Sequence, residues 1–264
     1  MVDKKYKMAE FRLNSKQKQE GVYVLSEIND EFESLYLKVR KKEKRIYSDT
    51  EVDSLPLIPD SNPHKNEWRL REKSFLRFKD YLKSKNGILN ILDLGCGNGW
   101  FSGNLTKDFN HKFFCVDINL TELKQGKRVC ESEKIKFIYA DIFNTDFPSD
   151  FFNLVILNAS VQYFPDLKKL FELLFELLTR NGEIHIIDSP FYPVGEIQYA
   201  KKRSMDYYSS ISFPEMAQHY HHHSIKKLLG FNSKIFYNPS SIKNKIRFLF
   251  LKEDSPFPWI VIKK

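Results

Sequence analysis

The chain predicts an α/β fold: a doubly wound, mostly parallel, seven-stranded sheet preceded by an N-terminal helical extension. Three observations carry that prediction. Short apolar runs alternate with helical periodicity over most of the 264 residues, the pattern of parallel strands with crossover helices. The run from Ile88 to Leu94 leads straight into a glycine-dense turn, Gly95-Cys96-Gly97-Asn98-Gly99, and then into a helix. Finally, successive apolar runs end on an acid, at Asp117 and Asp141.

The elements follow in order. Ile88, Leu89, Ile91, Leu92 and Leu94 read as a buried parallel strand, because such strands are covered on both faces. Phe101, Leu105 and Phe109 lie four apart, as on one helix face. Between strand and helix, bare glycines place backbone N–H groups beside a ligand. A dinucleotide fingerprint wants a third glycine where helix and strand pack, but that position here is Trp100. His111 to Asp117 and Ile135 to Asp141 are the second and third runs, with a helix-like stretch from Leu120 to Ser132 between them. Asp117 lies 22 residues after Gly95, a spacing that suits a ribose-binding acid at the end of the second strand. Phe151 to Leu157 is a fourth strand, ending in Asn158-Ala159-Ser160. Pro165 opens a helix whose apolar face is Leu167, Leu170, Phe171, Leu174, Leu177 and Leu178, and Asn181-Gly182 is expected to stop it. Glu183 to Asp188 is a fifth strand; Phe231 to Tyr237 and Trp259 to Ile262 complete seven.

This arrangement resembles the class I S-adenosylmethionine (AdoMet)-dependent methyltransferases, over roughly Leu89 to Lys264 and most densely from Asp93 to Asp141. The resemblance implies a Rossmann-like methyltransferase fold with AdoMet as cofactor. It places the cofactor against Asp93, Gly95, Cys96, Gly97, Gly99, Asp117, Ile118, Asp141, Ile142, Asn158 and Ala159. Asp93 would orient the loop and the methionine ammonium, Asp117 would hold the ribose, and Asp141 would accept from the adenine amine. Residues 1–86 then form an extension or lid, with Phe32 to Lys42 and Glu67 to Leu82 as helices and Trp68, Arg69 and Arg71 as lid candidates; 87–264 form the AdoMet-binding domain.

Substrate-side expectations rest on topology. Ligands bind outside the carboxyl ends of parallel strands, and the chain after Asp188 leaves from that edge. His221, His222 and His223, with Tyr163 and Tyr192, are therefore the catalytic candidates, and Arg203 to Tyr208 a lid helix. The same histidines also read as exposed helix-start residues or as metal ligands; without a fixed acidic or Cys partner we assign no metal.

Composition narrows the class. The net charge of +8 comes from 42 Lys and Arg against 34 Asp and Glu. These basic residues are spread along the chain, so a solvated surface is favoured over a nucleic-acid partner. The Asn-Pro-Pro-aromatic pattern of base-amine methyltransferases is absent after the fourth strand, and so is the cysteine that cytosine C5 chemistry needs. The reading is a cytoplasmic methyltransferase with a small-molecule acceptor and no membrane span or signal segment. Its rivals are an RNA/DNA methyltransferase and a non-catalytic AdoMet-binding module. Three cysteines without a CxxC pair suit a reducing compartment.

Overall fold

The computed structural model describes residues 18–242, 244 and 253–264. Its centre is a nine-stranded sheet. The strands are β1 (Lys18–Gln19), β2 (Val22–Val24), β3 (Asn90–Leu94), β4 (Lys112–Asp117), β5 (Ile135–Tyr139), β6 (Phe152–Asn158), β7 (Leu178–Ile187), β10 (Ser233–Tyr237) and β11 (Trp259–Lys263). Their spatial order is β1-β2-β5-β4-β3-β6-β7-β11-β10. Strands β2, β5, β4, β3, β6 and β7 run parallel, while β11 lies antiparallel between β7 and β10. The chain reverses its order on either side of β3, between β4 and β6, which is where an open sheet leaves a crevice.

Seven of these strands match the predicted set. The other two come from the N-terminal extension, ahead of its first predicted helix. Glu20 and Gly21 have φ of 49° and 83°, the conformation of a two-residue hairpin turn. That turn folds β1 onto β2, and Val22 is fully buried at the sheet's edge. A three-residue strand shows too little alternation to be seen as a period, so only the Glu-Gly dipeptide marked it. Predicted residues 1–17 lie outside the described residues.

Two apolar layers sandwich the sheet. On one face Ile91, Phe113, Cys115, Phe137 and Ile156 meet Phe75, Phe78 and Leu82 of α3 (Lys65–Lys83) and Phe101 and Leu105 of α4 (Trp100–Asp108). On the other, Leu92, Phe114, Val116, Val155 and Ile186 meet Leu167, Leu170, Phe171, Leu174 and Leu177 of α6 (Leu167–Leu177). Strand residues alternate between the layers, as the pleat requires. Helix α3 belongs to the extension by sequence and to the core by packing. The stretch before residue 87 therefore supplies two strands and part of the core, where helices alone were expected.

Helix α6 stops at Leu177, four residues before the predicted Asn181 stop. Leu178 turns extended (φ −77°, ψ 143°), and a register shift opposite Phe152 and Leu154 absorbs the following residues into β7. Gly182 lets the chain fold tightly there: a Cβ on it would lie 2.7 Å from Leu178 Cδ2. Beyond β7, β8 (Phe191–Tyr192) pairs with β9 (His223–Ser224) in a separate small sheet. They flank α7 (Ile197–Ser210), which contains the predicted Arg203 to Tyr208 helix. Asp188 ends β7 as a structural tie, accepting from Ser74 Oγ (2.7 Å) and Ser255 Oγ (2.9 Å). Among the described residues no helix is long and apolar enough to cross a membrane.

Candidate active site

The carboxyl ends of β3, β4, β5 and β6 open into a cavity of about 800 Å³, within the usual range for small-molecule sites. Registry brings these ends level: Leu94 pairs with Val116 and Asp117 with Tyr139. The turn after β3 is tight because the neighbouring loop presses on it. At Gly95 (φ +73°) a Cβ would meet Ser160 Cβ at 2.5 Å, and at Gly99 (φ +69°) one would meet Phe137 Cε1 at 2.6 Å. Gly99 is thus a packing glycine at the start of α4 and does not line the cavity. Gly95, Cys96 and Gly97 do.

Three acids stand along this floor. Asp93 is 1 % exposed; its Oδ2 accepts from Ser102 Oγ at 2.6 Å, and its Oδ1 has no partner among the described residues. Burial pushes its pKa to about 7, against the Ser102 bond and with help from Asp117. Asp117 accepts from the backbone N–H groups of Gly97 (2.7 Å) and Asn119 (2.9 Å). Burial still raises its pKa, although those donors oppose it. Asp141 accepts from Phe143 N (2.9 Å) and Asn144 Nδ2 (2.6 Å). A carboxylate has about four lone-pair sites, so each of these acids retains acceptor capacity. Ile118, Ile142, Asn158 and Ala159 complete the floor. Ala159 sits at φ +52°, a strained conformation for a residue with a Cβ, and its carbonyl accepts from Gln162 Nε2 at 2.5 Å. Asn158 Oδ1 is buried with no partner among the described residues.

The opposite wall comes from the N-terminal helices, mostly from residues that sequence reasoning passed over. Helix α1 (Asp30–Lys42) is clamped to the floor through Glu33, which accepts from Leu120 N (3.0 Å), Thr121 N (2.8 Å) and Thr121 Oγ1 (2.6 Å) at the start of α5 (Leu120–Val129). This puts an acid at a helix N-terminus, where the dipole favours it. Tyr36 and Arg40 then face the cavity, with Arg40 Nη2 donating to Tyr36 Oη at 2.7 Å. A short helix α2 (Asp49–Ser54) follows, closed by a Ser48–Glu51 capping box. The Ser-x-x-Glu spacing was the signal for it. From α3, Trp68 and Arg71 line the cavity as expected, whereas Arg69 is turned outward to Asp60 at 3.6 Å. Trp68 donates to Tyr47 Oη (2.9 Å) and meets Trp100 edge-on at 5.1 Å. Glu67 accepts from both Arg45 (2.6 Å) and Arg71 (3.0 Å). Burial alone would raise its pKa, but the two guanidiniums hold it at about 2.

Glu122 of α5 also faces the cavity. Burial lifts its pKa to about 7; Arg40 opposes this, and Asp117 and Glu33 add to it. Tyr36 and Tyr163 meet edge-on with ring centroids 6.0 Å apart, and burial raises both phenols. Both keep their protons at neutral pH.

The histidine expectation needs correction. Tyr163 lines the cavity, but His221, His222 and His223 do not; they line a second cavity of about 460 Å³. Tyr192 lines neither, and its ring lies 5.5 Å from that of His222. The physical reason is the turn after β6. His221 N donates to Gln162 O at 2.7 Å. The run is therefore bonded to the outer side of the Val161–Pro165 segment, which separates it from the glycine turn. Topology identified the correct sheet edge but not the correct side of that turn.

Residues 91–182 match a family model described as a methyltransferase domain. The chain is 35% identical over 97 residues to malonyl-[acyl-carrier protein] O-methyltransferase 1 of Ilyobacter polytropus, a match covering 36% of each chain. It is 31% identical over 142 residues to the ubiquinone/menaquinone biosynthesis C-methyltransferase UbiE of Wigglesworthia glossinidia brevipalpis, covering 52% of this chain and 55% of that one. The matches thus span about a third to a half of these curated relatives' lengths. In fold, the chain is similar to the geranyl diphosphate C-methyltransferase of Streptomyces coelicolor A3(2), with a TM-score of 0.52 and 13% identity over 78% of this chain and 81% of that one.

Proposed function

We propose, from the premise that this chain belongs to the class I AdoMet-dependent methyltransferase superfamily, that it methylates a small or medium-sized acceptor held under the α1–α3 wall. The observation that carries the proposal is the shared cavity. The glycine turn, Asp93, Asp117, Asp141 and the Tyr36–Arg40–Tyr163 wall all face one space of about 800 Å³.

The residues suit the cofactor by their own geometry. Gly95 leaves no room for a side chain, so the backbone itself borders the cavity. Asp93 Oδ1 and Asn158 Oδ1 are buried acceptors with no partner among the described residues, and such groups call for a ligand donor. Asp117 would take ribose hydroxyls, Asp141 the adenine amine and Asp93 the ammonium. When bound, AdoMet supplies an activated methyl group, so the protein's task is alignment and exclusion of water. Trp68, Trp100 and Tyr47 close one side of the space with apolar surface. Arg40 orients the Tyr36 hydroxyl by donating to it, which leaves that O–H free to donate into the cavity. Glu122, poised at about 7, is the cavity group we assign to receive a proton from the acceptor. A group of that pKa works near neutrality.

The test is direct. AdoMet should bind the purified chain in titration calorimetry and raise its melting temperature, as a ligand of the native state must. Untargeted profiling of small-molecule extracts with methyl-labelled AdoMet should then reveal the acceptor. Binding of NAD but not AdoMet would overturn the reading, and binding without any labelled product would favour a non-catalytic module.

A further inference from the structure

The histidine run does not serve the reaction cavity, yet it builds one of its own. Lys201 of α7, Lys227 of the turn after β9, and His221, His222 and His223 converge on a space of about 460 Å³. We propose that this second cavity binds a phosphate-class anion, either free or carried on a larger molecule.

Charge is the first argument. Lys201 and Lys227 both act on His221, and Lys201 and Arg203 both act on His222. Glu215 is the one acid among the lining residues. The site therefore carries an excess of positive charge on two separate elements, and burial and these cations together hold the imidazoles neutral. A dianion would offset that field.

An unpaired buried ring nitrogen is the second argument. His222 is 7 % exposed, and its Nε2 lies 2.9 Å from Ser204 Oγ. The roles in that contact follow the imidazole tautomer: where the Ser204 hydroxyl donates to Nε2, the ring proton lies on Nδ1. That Nδ1 is buried with no partner among the described residues. The ammonium groups of Lys201 and Lys227 border the cavity from two separate elements, an arrangement that suits an anion with several terminal oxygens.

The third argument concerns what else the site would hold. Met205, Pro214, Ala217 and Tyr220 supply apolar wall, so an organic body attached to the phosphate has surface to cover. Pro165 borders both cavities, and Tyr220 meets Tyr163 edge-on at 6.0 Å. An occupant would sit one aromatic layer from the reaction cavity.

Calorimetric titration of the full chain with inorganic phosphate and, separately, phenyl phosphate tests this. Saturable one-to-one binding is expected, weakened at least tenfold in the Lys201→Ala/Lys227→Ala double variant and in His222→Leu. Both lysines are exposed, so the double variant should keep the wild-type melting temperature. AdoMet binding, measured in parallel, should stay unchanged, which separates this site from the methyltransferase reading. Phenyl phosphate binding at least tenfold tighter than phosphate would show that the group arrives on an organic body; equal affinities would show a free anion. Absence of saturable binding to either probe, or equal affinity in the double variant, would overturn the proposal.

Discussion

The floor of the reaction cavity is assembled from strand ends, whereas its roof is assembled from helix faces. On the floor, Asp117 and Asp141 are held by backbone N–H groups within a few residues or on the adjacent strand end. On the roof, Arg45 reaches Glu67 across 22 positions and Trp68 reaches Tyr47 across 21. Backbone donors fix the floor wherever the chain forms the sheet. The roof holds only if particular side chains are present together. A floor of this kind suits a ligand shared across a superfamily, while a roof of side-chain pairs is where acceptor preference can vary.

Variants on either side should separate the two halves. Replacing Glu122 by Gln removes the proton-accepting carboxylate while keeping its shape. Turnover should fall by roughly 10²–10⁴-fold, the span of general-base catalysis, with AdoMet affinity at neutral pH changed far less. Single-turnover kinetics with labelled AdoMet reads this, and unchanged turnover would remove Glu122 from the mechanism. Trp68→Ala addresses the roof as packing. Trp68 is 5 % exposed and packs edge-on against Trp100, so denaturant melts should show a loss of about 3–5 kcal/mol, typical of buried Trp to Ala. A loss under about 1 kcal/mol would mean that the roof is an appendage after all. Asp117→Ala returns to the floor. It deletes the acceptor for Gly97 and Asn119 as well as the group proposed to hold the ribose, and AdoMet binding should weaken by about 1.5–3 kcal/mol, the scale for a hydrogen bond to a charged group.

The same division explains what could be read from the chain alone. The floor was legible because its signals are local: the glycine spacing, an acid ending each run, and strand periodicity around them. Gly99 was the exception, a packing residue against Phe137 rather than a cavity residue, and spacing alone cannot separate those roles. Trp68 and Arg71 were visible on the roof because one helix period carried them. Tyr36 and Arg40 are also four apart on one helix, but the pair they complete, with Tyr163, spans 127 positions and has no local signature. His221, His222 and His223 were misplaced because topology assigns an edge, and the edge here is split by the Val161–Pro165 turn.

A pH series gives the smallest expected effect and compares the halves most finely, because Asp93 lies on the floor and Glu122 faces the roof. Burial is the main cause that lifts both to about 7, against ordinary values of 3.8 and 4.5. Between those values and 7 the native state binds more protons than the unfolded one. Stability of the free protein should therefore fall as pH rises through that window and level off above it. A cationic ligand has the opposite preference, since it favours the ionised carboxylates. AdoMet affinity should rise by about tenfold between pH 6 and 8 for each group that must ionise, one pKa unit being worth 1.36 kcal/mol. S-adenosylhomocysteine lacks the sulfonium charge, so its affinity should climb less steeply if a carboxylate senses that charge. Glu122→Gln should flatten the AdoMet curve if the sensing group is Glu122, and Asp93→Asn should flatten it if the floor does the sensing. Parallel curves for the two ligands in the wild-type chain would show that neither carboxylate senses the sulfonium.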